Sequence, residues 1–281
     1  MAQLREIRKR IKSVESTKKV THAMELVAAA KMRKSQQAAI SARPYSINLH
    51  EILAKIQKTS RIAHSFLRGN DSPKEMKIII TSDRGLTGGL NINIFREILK
   101  EESKTSSFVT VGKKAQQFAG KMNYNLLASF GSEEIPQIAL ARQLTKIATK
   151  AFLNKEVSKV SLFYPHFEST VTQTPRQIQV LPILPMENTE NPKSANGEHL
   201  FEPSINEIVK VIMPHHILTE IFQTLLEAKA SEHSARMVAM KNATDAAGDL
   251  IDDLTLNYNQ ARQEMITKEL LDIVTAQRAF R

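Results

Sequence analysis

Apolar residues recur at helical spacing over both ends of this chain and at strand spacing only in its middle. Between Met1 and Arg43 there is neither Gly nor Pro, and from His215 to Arg281 Gly248 is the lone breaker. The C-terminal stretch alone predicts a helix of about 100 Å, which holds in water only when an apolar stripe is buried against a partner. The other terminal helix is the simplest partner. Leu4, Ile7, Ile11 and Val14 fall at the 3-4-3 spacing of a coiled-coil seam. Continued, that register puts Lys18, Thr21 and Glu25 in the seam, so a phase slip to Val20, Met24 and Val27 is predicted. Ala28, Ala29 and Ala30 thin the helix, Pro44 predicts an end or a kink, and Leu49, Ile52, Leu53 and Ile56 resume an apolar face. At the other end Ser204, with Glu207 three residues on, reads as the cap of a helix disturbed at Pro214. Its stripe continues through Ile217, Ile221, Leu225, Ala228, Ala235 and Val238, and later through Ile251, Leu254, Tyr258, Ala261 and Met265. Past Met265 the residues Ile266, Leu270, Leu271, Ile273, Val274 and Phe280 cover more than one stripe. A helix apolar around most of its circumference is enclosed on several sides. One partner helix cannot do that, so a further sheath is expected around this tip.

The middle alternates short buried runs with helical ones. Lys77–Thr81, Ser107–Val111, Leu126–Phe130 and Lys159–Tyr164 predict strands. Helices are predicted from about Asn91, over Lys113–Lys121 and over Gln137–Leu153. Such alternation predicts a mostly parallel α/β sheet. Thr170–Thr174 and Gln177–Leu181, split by Pro175, read as edge strands, and residues 185–203 as a polar, breaker-rich connector. The fold class is therefore α/β: a long antiparallel coiled coil of the N- and C-terminal helices plus a central, mostly parallel α/β (Rossmann-like) domain. The boundaries are 1–60, 75–184, 185–203 and 204–281.

Charge adds a partner to this picture. Residues 1–60 hold thirteen bases against four acids, a net +9 of the chain's +10, whereas residues 204–281 hold eight bases against eleven acids. Opposite biases favour pairing of the two helices, and the uncancelled positive charge calls for an acidic partner. Cysteine is absent, which excludes disulfides and thiolate metal sites, and no apolar run approaches the eighteen residues that would span a membrane. No signal-peptide core follows Met1.

The chemistry of the middle points away from catalysis. Ser82-Asp-Arg-Gly-Leu-Thr-Gly-Gly89 lies between a strand and a helix, where nucleotide folds hold phosphate. It lacks the Lys-Ser/Thr ending of a P-loop and the dinucleotide fingerprint, and reads as a tight turn. His215 and His216 are adjacent and face different ways, while His50, His64 and His166 lack acidic or His neighbours at ligand spacing. Asp249, Asp252 and Asp253 read as a solvated face. No cofactor or metal is expected. A basic arm gripping RNA would account for the +9 but not for the apolar tip, and no RNA-binding motif accompanies it.

Several blocks resemble the gamma subunit of F-type ATP synthases. They are Leu4-Arg-Glu-Ile-Arg-Lys-Arg-Ile-Lys-Ser-Val14, Thr21–Arg33, Ser82–Asn91, Glu227–Asp245, Leu250–Gln263 and Ile266–Leu270. The resemblance spans the chain, in family order. It implies the central stalk of a rotary motor: a non-catalytic chain, one copy per complex, coupling ion flow through the membrane c-ring to ATP synthesis at beta subunits. Implied partners are the alpha and beta subunits of the catalytic head, the epsilon subunit and the c-ring, with no nucleic acid. The implied location is peripheral, on the cytoplasmic face of a bacterial plasma membrane, with an organellar inner or thylakoid membrane as the alternative. The motif positions imply contact with beta at Met24, Asp83, Arg84, Thr87, Arg262 and Gln263. They imply a bearing tip at Ile266, Leu270, Ile273 and Val274, and a foot toward c-ring and epsilon at Lys31, Arg33, Lys34, Leu200 and Phe201. The sequence departs from the family at Thr87, where many relatives carry Cys, at His22, a commonly basic position, and in the tail Gln277–Arg281.

Overall fold

The computed structural model describes residues 2–59, 64–101, 106–134, 136–184, 202 and 204–279. Two helices dominate, α1 over Ala2–Thr59 and α5 over Ile205–Ala279. Between them run β1 (Glu75–Ile80), α2 (Leu90–Lys100), β2 (Ser107–Val111), α3 (Lys113–Lys121), β3 (Asn125–Phe130), α4 (Ile138–Leu153), β4 (Lys159–Phe167) and β5 (Gln173–Leu181). The sheet order is β3-β2-β1-β4-β5, parallel throughout except that β5 runs antiparallel along β4. The chain divides into two compact units: residues 1–28 with 236–281, and residues 29–235.

In the second unit the sheet is covered on both faces, so β1 can be a nearly continuous apolar run. Met76, Ile78 and Ile80 point to one face. There they meet Leu140, Leu144 and Phe152 of α4, Leu53 and Ile56 of α1, and Met213, Ile217 and Ile221 of α5. Ile79, Phe108 and Phe163 point to the other, against Ile94 and Ile98 of α2 and Ala115 of α3. Two stacked aromatic pairs seal that layer, Phe95–Phe118 at 4.1 Å and Phe108–Tyr124 at 4.2 Å between centroids. Lys77 shares this face, buried, its Nζ donating to the Glu101 carbonyl at 2.6 Å and lying over the Phe163 ring. Burial lowers the pKa of its ammonium, against the pull of Glu101 and Glu75.

Three local expectations are corrected here. Residues Thr170–Thr174 do not form a strand of their own: β5 is one strand that includes Pro175. Pro175 lies opposite Pro165 on the sheet's outer edge, where a missing N–H breaks no ladder between central strands. Of the two alternatives at Pro44, an end is excluded, since α1 runs through it; α5 runs through Pro214 as expected. Next to these prolines the Tyr45 hydroxyl meets His215 Nε2 at 2.5 Å, and the burial of Leu49, Leu53, Val209 and Met213 on either side offsets each lost helical bond.

The third correction concerns the seam of the first unit. On α5 an unbroken 4-3 repeat of buried and half-buried positions runs through Met240, Thr244, Ala247, Ile251, Leu254, Tyr258, Ala261 and Met265. On α1 the first register continues through Leu4, Ile7, Ile11, Val14, Thr21, Glu25 and Ala28, with its Lys18 position exposed; of the expected slip positions only Met24 is half-buried, beside this line. Val20 and Val27 point outward, 56% and 54% exposed. Polar seam residues are tolerated because each is accommodated. The hydroxyls of Thr21 and Thr244 share a 2.8 Å hydrogen bond, Glu25 pairs with His22 at 3.3 Å, and Lys18 runs beside Gly248, which has no side chain. Numbers rise on one helix as they fall on the other, so the pair is antiparallel.

Candidate functional site

The loop from β1 to α2 is knit by its own motif. Ser82 N–H donates to Asn91 Oδ1 at 3.2 Å, and Asn91 Nδ2 donates to Ser82 Oγ at 2.9 Å and Thr87 Oγ1 at 3.3 Å. Leu86 and Gly88 take left-handed conformations, φ 63° and 57°. Asp83 turns inward: its carboxylate accepts the N–H of Lys113 at 2.9 Å and that of Ser132 at 3.1 Å. Thr81 Oγ1 accepts the N–H of Ala115. Free N–H groups at the start of α3 are thus satisfied from the loop that follows β1. Gly112 opens that helix at φ 100°, where a Cβ would sit 2.3 Å from the Thr81 carbonyl oxygen.

In open α/β sheets ligands bind beyond the carboxyl ends of the strands, where the strand order reverses. Here that point lies between β1 and β4, and α5 occupies it. Residues 224–235 are buried without interruption, although Glu227, Lys229, Glu232 and His233 are among them. Lys229 is 5% exposed; its Nζ donates to Glu232 at 2.8 Å and to Ser132 Oγ at 3.1 Å. The remaining cleft, lined by Thr81, Ser82, Ser132, Glu133, Lys229 and Glu232 among others, has a volume of about 20 Å³. That is room for roughly one water and none for a nucleotide.

One turn earlier on α5 a second polar cluster ties three elements. Glu227 Oε2 meets His166 Nδ1 of β4 at 2.9 Å, and its other oxygen lies 3.7 Å from Arg43 of α1 and accepts from Gln223 at 3.2 Å. Burial, then the charge of Glu227, raises the pKa of the Glu220 carboxyl, with Arg176 opposing. His166 therefore does have an acidic partner, and His50 lies 6.0 Å from His216 between ring centroids, both contrary to the sequence reading. Adjacency along the chain was no guide, because the partners sit 61 and 166 positions away. Burial, then His50 and His215, lowers the His216 pKa to about 4. Among the described residues no group of three His, Cys, Asp or Glu could hold a metal, and no helix is long and apolar enough to cross a membrane.

The positions singled out from sequence fall as follows. Met24 is half-buried beside the seam. Arg262 and Gln263 are exposed, between the seam residues Ala261 and Met265. Ile266, Leu270, Ile273 and Val274 are all exposed, as is Leu271. These lie in the first unit. In the second, Thr87 is buried at 3% exposure, Asp83 is occupied by backbone N–H groups, and Arg84 is open to solvent. Lys31 pairs with Glu134, which lowers the Glu134 pKa, while Arg33 and Lys34 are exposed. Leu200, Phe201, Phe280 and the connector 185–201 lie outside the described residues. Lys229, Glu232, Ser132 and Glu227 were not singled out by role, although charged residues on a helix segment with no exposed face would have marked them.

Fold and filled crevice define a class: an α/β domain lying in sequence between two long terminal helices, the crevice at its switch point taken by its own C-terminal helix. The family model described as ATP synthase matches residues 3–280. The ATP synthase gamma chain of Methylacidiphilum infernorum is 41% identical over 292 residues, covering all of both chains. That of Pelotomaculum thermopropionicum is 40% identical over 279 residues, covering 98% of each. A chain in the structure of the Euglena gracilis mitochondrial ATP synthase, OSCP/F1/c-ring, superposes with a TM-score of 0.70 at 16% identity, covering 99% of this chain and 95% of that one. The chain belongs to the ATP synthase gamma chain family.

Proposed function

We propose that this chain is the rotor shaft of an F-type ATP synthase. It turns with a membrane c-ring and drives the beta subunits of the alpha–beta head through their conformations, without catalysing chemistry or binding a cofactor itself. The observation that carries the reading is the mismatch between the two helices of the first unit. With Thr21 opposite Thr244, Leu4 falls opposite Ala261, so α5 continues beyond the start of α1 by more than a dozen residues. Those residues carry Ile266, Leu270, Leu271, Ile273 and Val274 exposed on several faces. Apolar surface of that kind marks a protein contact. A ring of alpha and beta subunits would supply it, making this segment the bearing tip.

In the same reading Met24, Arg84, Arg262 and Gln263 face beta, with Asp83 and Thr87 holding the loop that presents Arg84. Lys31, Arg33 and Lys34, together with Leu200 and Phe201, form the foot toward c-ring and epsilon. One copy serves each complex, peripheral to the membrane and on its cytoplasmic side in a bacterium. The basic first helix supports an acidic partner segment on beta. The filled crevice supports a non-catalytic role.

The test is Arg262→Ala with Gln263→Ala in the assembled complex. Charge-assisted hydrogen bonds to a beta loop are worth about 2–5 kcal/mol at an interface, so ATP turnover falls although neither residue reaches nucleotide. Unchanged turnover with normal assembly would reduce both to solvated surface.

A further inference from the structure

The loop between β3 and α4 is gripped from both long helices at once. On it, Ser132 Oγ accepts from Lys229 of α5 at 3.1 Å, and two residues later Glu134 pairs with Lys31 of α1. The same loop is anchored to the sheet. Ser132 N–H donates to Asp83 at 3.1 Å, the Gly112 N–H donates to the Phe130 carbonyl at 2.8 Å just before it, and Glu133 accepts the N–H of Gln137 where α4 begins. Lys229 is itself fixed by Glu232, one turn away and equally buried. Neither Ser132 nor Glu134 belongs to the hydrophobic cores on the two faces of the sheet. Their side chains reach out of the α/β domain to one helix each.

We propose that the Gly131–Glu134 segment is a strap that locks α1 and α5 against mutual sliding, with Ser132 and Glu134 as its two holding points. This rests on the rotor-shaft reading and adds to it the element that stiffens the shaft. Two paired helices resist bending, but under torque they yield by slipping past each other along the seam. Slippage by a single residue is a shift of about 1.5 Å. It would lengthen and weaken the 3.1 Å contact from Lys229 to Ser132 while the loop stays fixed by Asp83. The α1 side of the strap is an exposed pair, so salt weakens it; the α5 side is buried and salt reaches it poorly.

The test uses the assembled complex with its head immobilised and a probe on the α/β domain. The orientation of the probe is followed while the motor is paused without ATP. Ser132→Ala with Glu134→Gln removes both holding points and leaves the buried Lys229–Glu232 pair intact. The expected result is a spread of probe orientation increased about twofold, as when contacts limiting local opening are lost. ATP turnover should change little, and Glu134→Asp, which keeps the charge, should preserve most of the parent's stiffness. An unchanged spread in the double variant overturns the strap while leaving the shaft reading intact. A parent complex whose probe does not turn on adding ATP overturns the shaft reading instead. Should the double variant not assemble, Glu134→Gln alone decides in its place: a broadened spread supports the strap, and an unchanged one overturns it.

Discussion

At the scale of residues, the groups that matter most are buried polar ones on α5. His216 has its pKa lowered to about 4, by burial first and by the nearby His50 and His215 next. A histidine whose folded pKa is depressed binds its proton more readily in the unfolded chain. Its contribution is therefore fully present above about pH 6.5 and is lost as pH falls from there toward 4, by up to ~3 kcal/mol. Glu220 works in the opposite direction, since its carboxyl pKa is raised on folding. Only a comparison of parent with variant isolates the histidine. In His216→Gln the fall in urea midpoint between pH 7 and pH 4.5 should be shallower than in the parent, and equal slopes would show that His216 is solvated. The sequence showed two adjacent histidines and nothing more, because the burial that chiefly depresses His216 depends on tertiary packing and the facing His50 lies on a helix more than 160 positions away. The Ser82–Asn91 motif was legible as a turn. That Asp83 caps α3 and holds Ser132 was not, for those partners lie 30 and 49 positions downstream.

Elements were more readable than residues. The spans of β2 and α3 agree residue for residue with the expectation, and α4 differs by one position. Each is bounded by turn residues or polar connectors, so its hydrophobic period runs uninterrupted. The seam of α1 was misread because three polar residues in succession looked like a lost register. Hydrophobicity alone cannot see that Thr21 finds Thr244, or that Lys18 lies where the facing helix has only Gly248. Gly248 itself is then testable. Glycine inside a helix costs about 1 kcal/mol relative to alanine. A Cβ there would approach Lys18 Nζ to 2.9 Å, the free end of an exposed side chain that can swing away. Gly248→Ala should therefore stabilise the pair by about 0.5–1 kcal/mol, read as a raised midpoint of helix melting by circular dichroism. A lowered midpoint would mean that Lys18 is held in place and the seam has no slack there.

For the whole molecule, the central claim is mechanical: long paired helices whose apolar tip seats in a ring, joined to an α/β domain whose own ligand crevice is filled by α5 at Lys229 and Glu232. Chain-wide features of this sort were visible early, in the breaker-free termini and the change of pattern past Met265. The filling of the crevice was not, since it depends on which face of α5 meets the sheet. The direct measurement is rotation. With the head fixed to a surface and a bead attached to the α/β domain of this chain, adding ATP should turn the bead continuously in one direction, at a rate that tracks hydrolysis. Sustained hydrolysis by the same immobilised complexes with a bead that only fluctuates about one angle would contradict the account.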